Sequence, residues 1–249
     1  MTDARHQAAI EASGQISTRR VEIADAAIAI ADAEGFEAVS LRKIAERLGV
    51  GTMTLYSYIE NKDDLIAVMG DVITAEYLVP EPMPEGWRAR ARAITTRTYE
   101  TFVRHPWLAT TITGAPVIKP NTIRHIDQSV RAIFELDIEL DLRGTILTML
   151  DDYAIGHALN NIKRKEMFDP SPSSARAAIS ARLNDATRTE IERMFRDGEV
   201  PTLVKLFDDV DTMLERISGG PPQSDNAFEI GLDTLLDGIQ VMINRHASS

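Results

Sequence analysis

Apolar residues recur every three or four positions along almost all of this 249-residue chain. That spacing is typical of helices with one buried face, and no stretch keeps the strict alternation of a half-buried strand. Proline and glycine interrupt the helical pattern, most clearly in PEPMPEG at residues 80–86. The pattern therefore predicts an all-α fold with a break near residue 80.

The break at residues 80–86 is expected to separate two domains. Residues 1–17 are polar, lack the apolar stretch of a signal peptide, and are predicted to form a flexible tail. Residues 18–79 are predicted to form a small helical domain, and residues 80–249 a larger one. Within the larger domain, helices are predicted at 87–103, 105–113, 120–135, 141–168, 173–196 and 225–246.

The composition limits the class of protein. No cysteine is present, which excludes disulfides, thiolate nucleophiles and cysteine metal sites. No apolar run approaches the ~20 residues of a membrane helix, so we expect a cytoplasmic protein without a membrane partner. The net charge of −11 argues against a nucleic-acid binder. However, Ser40 to Lys62 holds four basic and two acidic residues, a local charge of +2, which leaves −13 elsewhere.

The basic segment has the pattern of a helix-turn-helix. Ser40 is predicted to cap a helix of about two turns that Gly49 ends. A tight turn follows, and Thr52 can begin a second short helix with Leu55 and Ile59 on its buried side. In such a motif the second helix enters the major groove of DNA, so its outer side must be polar and compact.

Hydroxyl and basic side chains on this segment suit a DNA partner. Arg42 is the best candidate for a guanine contact, and Thr52 and Thr54 can reach base edges. Tyr56 and Tyr58 are long enough to donate to phosphates, and Lys62 adds charge. Alternatively, such side chains could simply be solvated, or either tyrosine ring could lie in the core with its hydroxyl at the rim.

The stretch from residue 38 to residue 69 resembles the DNA-binding domain of the tetracycline-repressor (TetR) family. The resemblance lies in the Ser40 cap, in IAERLGV, in Thr54-Leu55-Tyr56 and Tyr58, and in Asn61-Lys62-Asp63 before Leu65. It implies operator contacts at Arg42, Thr52, Thr54, Tyr56, Tyr58 and Lys62, with Leu55 in the core, and Ser40 and Met53 complete the predicted DNA-contact set. Relatives often carry a small residue or proline in place of Met53, so this chain's operator sequence cannot be copied from theirs.

The larger domain resembles the tetracycline-repressor subgroup in HPWLATTITGAP (105–116) and in residues 142–166. The resemblance implies a homodimer in which two long helices per subunit form a four-helix interface. Helices 141–168 and 225–246 each carry more apolar residues than one buried stripe needs. The predicted interface residues are Leu142, Ile146, Leu150, Leu232, Leu235, Ile239 and Met242. The alternative is a central helix buried within one subunit.

The same domain offers material for a small-molecule cavity. In the family that the chain resembles, a ligand enters this domain and changes the spacing of the two recognition helices. Apolar walls with a few polar groups are typical of such sites, although the same residues would serve as ordinary core. The predicted lining is Trp87, Ile94, Thr98, Phe102, Trp107, Thr111, Gln128, Met149, Asp152 and Tyr153.

Metal and cofactor chemistry is not expected. The tetracycline repressor engages a metal-bound drug through histidines, and the matching positions here hold Leu78 and Thr111, which are poor ligands. His105, His125 and His157 lack the spacing of metal ligands, and we interpret them as structural. The effector is therefore an unidentified small molecule other than magnesium-tetracycline.

Two rival functions remain to be weighed. An enzyme would be expected to show a catalytic motif, and the chain has no GxSxG, HExxH, P-loop or GxGxxG. A purely structural helical protein would not need basic and hydroxyl side chains clustered on one short motif. The sequence therefore predicts a ligand-responsive transcriptional repressor that binds double-stranded operator DNA as a homodimer, with no enzymatic activity.

Overall fold

The computed structural model describes residues 18–111, 118–167, 184–218 and 226–246. Within these ranges the regular elements are helices and no strand occurs, which confirms the all-α prediction. Among these helices, none is long and apolar enough to cross a membrane. The α-helices in chain order are α1 (Thr18–Glu34), α2 (Leu41–Leu48), α3 (Thr52–Leu55), α4 (Lys62–Tyr77), α5 (Trp87–Arg104), α6 (Leu108–Thr111), α7 (Pro120–Ala132), α8 (Leu140–Met167), α9 (Asp185–Arg196), α10 (Pro201–Leu206), α11 (Val210–Ser218) and α12 (Ala227–His246).

Local chemistry defines helix α2 at both ends. The Ser40 hydroxyl accepts a hydrogen bond from the backbone N–H of Lys43 over 3.3 Å, as an N-cap should. Gly49 closes the helix with a left-handed φ of 66°, a conformation that costs glycine little. The chain can therefore turn sharply into α3, and both predicted helix ends are confirmed.

Helix α3 is a single turn fixed by two apolar residues. Leu55 is 0% exposed and Ile59 is 1% exposed, as the sequence predicts. Both belong to the same hydrophobic core as the buried apolar side chains of α1. We call residues 52–59 the α3 segment. The buried pair leaves its other side chains exposed or half-buried.

Helix α4 connects the helix-turn-helix to the rest of the chain. Asn61 caps it, because its side-chain oxygen accepts from the backbone N–H of Asp64 over 2.9 Å. Most of the predicted inner face is buried, but Ile66 is only half-buried. The buried members are Leu65, Met69, Val72 and Ile73.

The remaining helices follow the predicted pattern with shifted ends. Helix α6 begins at Leu108, three residues after its predicted start, and His105 caps the carboxyl end of α5. Helix α7 ends at Ala132 and not at residue 135. Helices α10 and α11 are not predicted from the sequence. The predicted tail 1–17 and the start of the predicted helix 173–196 lie outside the described residues.

The chain forms two compact units. The first contains the described residues up to Leu159 and those from Leu232 onward, and the second runs from Asn160 to Gly231. In the first unit, the core of the helix-turn-helix continues into Phe102, Trp107 and Leu108. Residues 80–86 therefore separate two helices, while one hydrophobic core contains residues from both sides of this break.

Candidate functional site

The outer surface of α2 and α3 carries the side chains that the sequence predicts to contact DNA. Met53 is 78% exposed and Tyr56 is 54% exposed, so both side chains are accessible to a partner. Thr52 and Tyr58 are half-buried. The other members of the predicted set are exposed: Ser40, Arg42, Thr54 and Lys62.

Some of these residues also have structural partners. Ser40 caps α2 through its hydroxyl, and the Tyr58 side chain packs against the core. The Lys62 ammonium lies 5.4 Å from the centre of the Phe36 ring, a cation–π distance. Of the two tyrosines, Tyr58 matches the alternative of a ring partly in the core, and Tyr56 projects into solvent.

Charge on this surface is distributed unevenly. Lys43 forms an ion pair with Glu34 across 2.6 Å, which offsets one of the four basic residues. Within the described part of the chain, Arg42 and Arg47 have no ion-pair partner and both are exposed. Arg42 therefore keeps its full donor fork available for a phosphate or a guanine edge.

The carboxyl end of the α3 segment is held by Arg20, a residue that the sequence analysis missed. Its Nη1 donates to the backbone oxygen of Tyr58 over 2.6 Å, and its Nη2 pairs with Asp64. Burial opposes ionisation of Asp64, but the hydrogen bonds from Arg20 and from the Glu60 N–H, together with the nearby positive charges, outweigh it and lower the pKa of that carboxyl. Arg20 thereby ties α1, the α3 segment and α4 together.

Two buried polar contacts fasten α4, and Val79 two residues beyond its end, to α7. Asp71 is 1% exposed and Asn121 is 0% exposed, and the Asn121 backbone N–H donates to Asp71 Oδ1 over 2.9 Å. Gln128 forms a paired contact, donating to the oxygen of Val79 over 2.8 Å and accepting from its N–H over 2.9 Å. We call these two contacts the α4–α7 clamp.

A second connection joins α1 to the end of α5. Asp32 Oδ1 lies 2.7 Å from His105 Nδ1 and accepts from the Trp107 indole N–H over 2.8 Å. His105 Nε2 is 3.5 Å from Glu76 Oε2, an ion-pair distance. Burial opposes protonation of His105, but the two carboxylates prevail and raise its pKa above 6.5. The expectation of a structural histidine is confirmed at this position.

A small cavity lies between α5, α7 and α8 in the first unit. Its volume is about 10 Å³, room for roughly one water molecule. Its apolar walls are Ala91, Ile94, Ala132, Ile133, Leu147 and Leu150, and its polar residues are Thr95, Ser129 and Asp151. Ile94 is the one predicted lining residue that borders this space.

The other predicted lining residues have different neighbours. Thr98 and Phe102 are buried on the same face of α5 as Ile94, and Tyr153 stacks at a tilt on His157. Trp107 and Gln128 belong to the contacts described above, and Met149 and Asp152 are exposed. Trp87 donates its indole N–H to Gln240 over 3.2 Å, and the Thr111 hydroxyl donates within α6.

Comparison with known proteins identifies the family. Residues 79–243 match the family model described as "Tetracyclin repressor-like, C-terminal domain". Residues 23–69 match the model described as "Bacterial regulatory proteins, tetR family". The chain belongs to the TetR family. It is therefore a helix-turn-helix transcriptional regulator, as the resemblance of its sequence predicts.

Individual members of the TetR family resemble the whole chain. The HTH-type transcriptional repressor DrrR1 of Streptomyces coeruleorubidus is 28% identical over 222 residues, which cover 89% of this chain and 77% of that protein. Apo ActR of Streptomyces coelicolor has the same fold, with a TM-score of 0.64 at 21% identity, over 91% of this chain and 97% of ActR. ActR in complex with actinorhodin gives a TM-score of 0.63 at 22% identity, over 89% of this chain and 94% of ActR.

Four residues predicted for the dimer interface of this TetR-family chain are already covered by the chain itself. Ile146 and Leu232 are 0% exposed, Ile239 is 1% exposed and Leu150 is 4% exposed. They pack inside one subunit, so they offer no surface to a partner, and the prediction needs correction at these positions. Leu142, Leu235 and Met242 are half-buried and keep surface that a second subunit could cover.

Proposed function

We propose that this TetR-family protein is a homodimeric repressor that binds a palindromic operator and leaves it when a small molecule enters the larger domain. In this proposal, residues 18–79 bind double-stranded DNA, and residues 80–249 bind the effector and the second subunit. Because the proposed partner is operator DNA, we propose that the protein acts in the cytoplasm. We propose neither a cofactor nor an enzymatic activity.

The observation that carries the proposal is the exposed surface of Arg42, Met53 and Tyr56 over a fixed frame. Exposed apolar and aromatic side chains that lie together mark a surface for a partner. Leu55 and Ile59 anchor the segment from below, and Arg20 holds its carboxyl end. A surface held this firmly suits recognition, because little order is lost on binding.

The proposed dimer uses the outer sides of α8 and α12. Met149 is 38% exposed and Val241 is 49% exposed on these helices, next to the half-buried Leu142, Leu235 and Met242. A two-fold axis there would present two copies of α3 to DNA. If they lie about one helical turn apart, they read the two halves of a palindrome.

The proposed effector response uses the α4–α7 clamp. The structure of ActR with actinorhodin supports a ligand site in a chain of this fold. Here α7 borders the cavity with Ser129 and Ala132, and the same helix holds Asp71 of α4 through Asn121 and holds Val79 through Gln128. A ligand that displaces α7 would move α4, and α4 begins where the α3 segment ends.

The experiment is selection of an operator from sheared genomic fragments, followed by footprinting and native mass spectrometry. We expect protection of two half-sites about one DNA turn apart, with two chains per duplex. The matched control is Arg42→Ala, which should bind the selected site more weakly and keep the dimer. Recovery of random fragments by the wild-type protein would contradict the proposal.

A further inference from the structure

Asp151 is one of the residues that line the cavity between α5, α7 and α8. It is the one ionisable residue that borders this space in the described part of the chain. The surrounding side chains are mostly apolar, and the polar Ser129 hydroxyl already donates to the His125 carbonyl over 2.8 Å. The cavity therefore combines an apolar lining with a single negative charge.

Asp151 has no counter-ion among the described residues. Its neighbour Asp152 carries a charge of the same sign, and the two influences on the Asp151 pKa, burial first and then Asp152, both raise it, to about 6. At neutral pH the carboxylate is thus ionised in a place where no cation of the described chain offsets it. Asp151 is half-buried, and a partly desolvated charge without a counter-ion is unfavourable unless a binding partner supplies the missing charge.

Further buried polar atoms of the same unit lack partners. Thr98 Oγ1 on α5 and His125 Nδ1 on α7 are buried with no hydrogen-bond partner in the described chain. The His125 ring packs edge-on against Tyr77, with 5.3 Å between ring centres. The Asp151 charge acts on Tyr77 as well, since after burial it is the next contribution to the raised Tyr77 pKa. Asp151 and His125 therefore both act on Tyr77, in a unit that also holds these unpaired polar atoms.

We propose that the effector of this protein is an amphiphilic molecule with a protonated amine, which Asp151 binds while the apolar body separates α7 from α5 and α8. This inference deepens the proposed function and rests on it. An anionic effector would meet an uncompensated carboxylate. A hard metal ion would need several oxygen ligands, and the described residues hold no group of three or more potential ligands.

The cavity must widen to accept such a molecule. At about 10 Å³ it holds no more than a water molecule, so the ligand has to move the helices apart. Helix α7 is the wall that also carries Asn121 and Gln128 of the clamp. Binding of the amine is therefore coupled to the position of α4. The ligand then has different affinities for the DNA-binding state and for the released state.

The test measures charge preference by isothermal titration calorimetry at pH 7.5. The probes are 1-naphthylmethylamine, which is protonated, neutral 1-naphthalenemethanol and anionic 1-naphthoate. The proteins are wild type, Asp151→Asn and Asp127→Asn; Asp127 is an exposed α7 residue that undergoes the same change of charge. We expect wild type and Asp127→Asn to bind the amine at least tenfold more tightly than the alcohol, and Asp151→Asn to lose this preference.

Equal affinity for amine and alcohol in the wild type would overturn the inference, as would an unchanged preference in Asp151→Asn. Failure of the wild type to bind any of the three probes would also count against it. Operator binding is measured on the same three proteins. If operator binding is sequence-selective and charge preference is absent, the amine assignment fails and the proposed repressor stands; if selective DNA binding is absent, the proposed function itself fails.

Discussion

Asn121 donates its backbone N–H to Asp71 Oδ1 over 2.9 Å and its side-chain amide to the Asp71 carbonyl oxygen over 3.0 Å. Both residues are fully buried, so no water can replace either contact. Burial also raises the pKa of the Asp71 carboxyl, although the hydrogen bond from Asn121 opposes this. The pair is therefore a specific joint between α4 and α7.

Loss of this joint should be costly. Asn121→Ala removes the amide and leaves polar groups of Asp71 unpaired, which typically costs about 1–3 kcal/mol of unfolding free energy. Urea denaturation provides the measurement, and Asn160→Ala, at an exposed asparagine of α8, is the control. A loss below 0.5 kcal/mol, a threshold within the range of ordinary surface substitutions, would mean that the joint does not stabilise the fold.

Arg20 should matter for DNA binding without touching DNA. Arg20→Lys keeps the positive charge but cannot bond to the Tyr58 carbonyl and the Asp64 carboxylate as a planar fork does. We expect operator affinity to fall about tenfold, equivalent to about 1.4 kcal/mol. Fluorescence anisotropy measures the affinity, and Arg19→Lys is the matched control, because among the described residues Arg19 pairs within α1, with Glu22. Equal losses in the two variants would remove the special role of Arg20.

Arg42 is the predicted base contact and Lys62 the predicted phosphate contact, so their substitution should affect DNA binding in different ways. Arg42→Ala is expected to cost roughly 1–3 kcal/mol and to relax base preference at one operator position. Lys62→Ala should weaken binding to all sequences alike and reduce the salt slope by about one. Binding to a panel of single-base operator variants at several salt concentrations distinguishes them. Unchanged binding in both variants would show that the motif is misplaced.

His105 should make stability depend on pH. Its folded-state pKa is raised above 6.5, so its contribution is fully present below pH 6.5 and is lost as pH rises through the folded-state value. We expect a higher melting temperature at pH 6 than at pH 8.5, and a smaller difference in His105→Gln. Calorimetric melting at both values checks this, and an identical pH dependence in the two proteins would refute it.

Asp151 should also make the stability of the fold depend on pH. Its pKa is about 6 in the fold and 3.8 as a free side chain, so its contribution is favourable below pH 3.8 and is lost as pH rises through about 6. Asp151→Asn should therefore be about 1–3 kcal/mol more stable than wild type at pH 7.5, since one pKa unit corresponds to about 1.4 kcal/mol. Denaturation at pH 7.5 and pH 5 measures the difference, which should shrink at pH 5.

Residues with short-range roles were predictable from the sequence. Ser40, Gly49 and Asn61 act through neighbours within five positions, so their cap chemistry can be read without knowledge of the fold. The buried pair Leu55 and Ile59 follows from helical spacing for the same reason.

Residues with distant partners were not predictable in this way. Trp107 bonds to Asp32 and Gln128 bonds to Val79, and nothing in the local pattern at Trp107 or Gln128 indicates those partners. Periodicity also identifies apolar faces without saying what covers them. For that reason Ile146 and Leu232, which the chain itself buries, were predicted as interface residues.

The most direct test of the central claim is a titration of the purified protein against DNA upstream of its own gene, beside a scrambled duplex, at two salt concentrations. Repression through the α2–α3 surface predicts tight binding to the upstream DNA, much weaker binding to the scrambled duplex, and affinity that falls as salt rises. Equally weak binding to both duplexes, in protein freed of any bound small molecule, would contradict it.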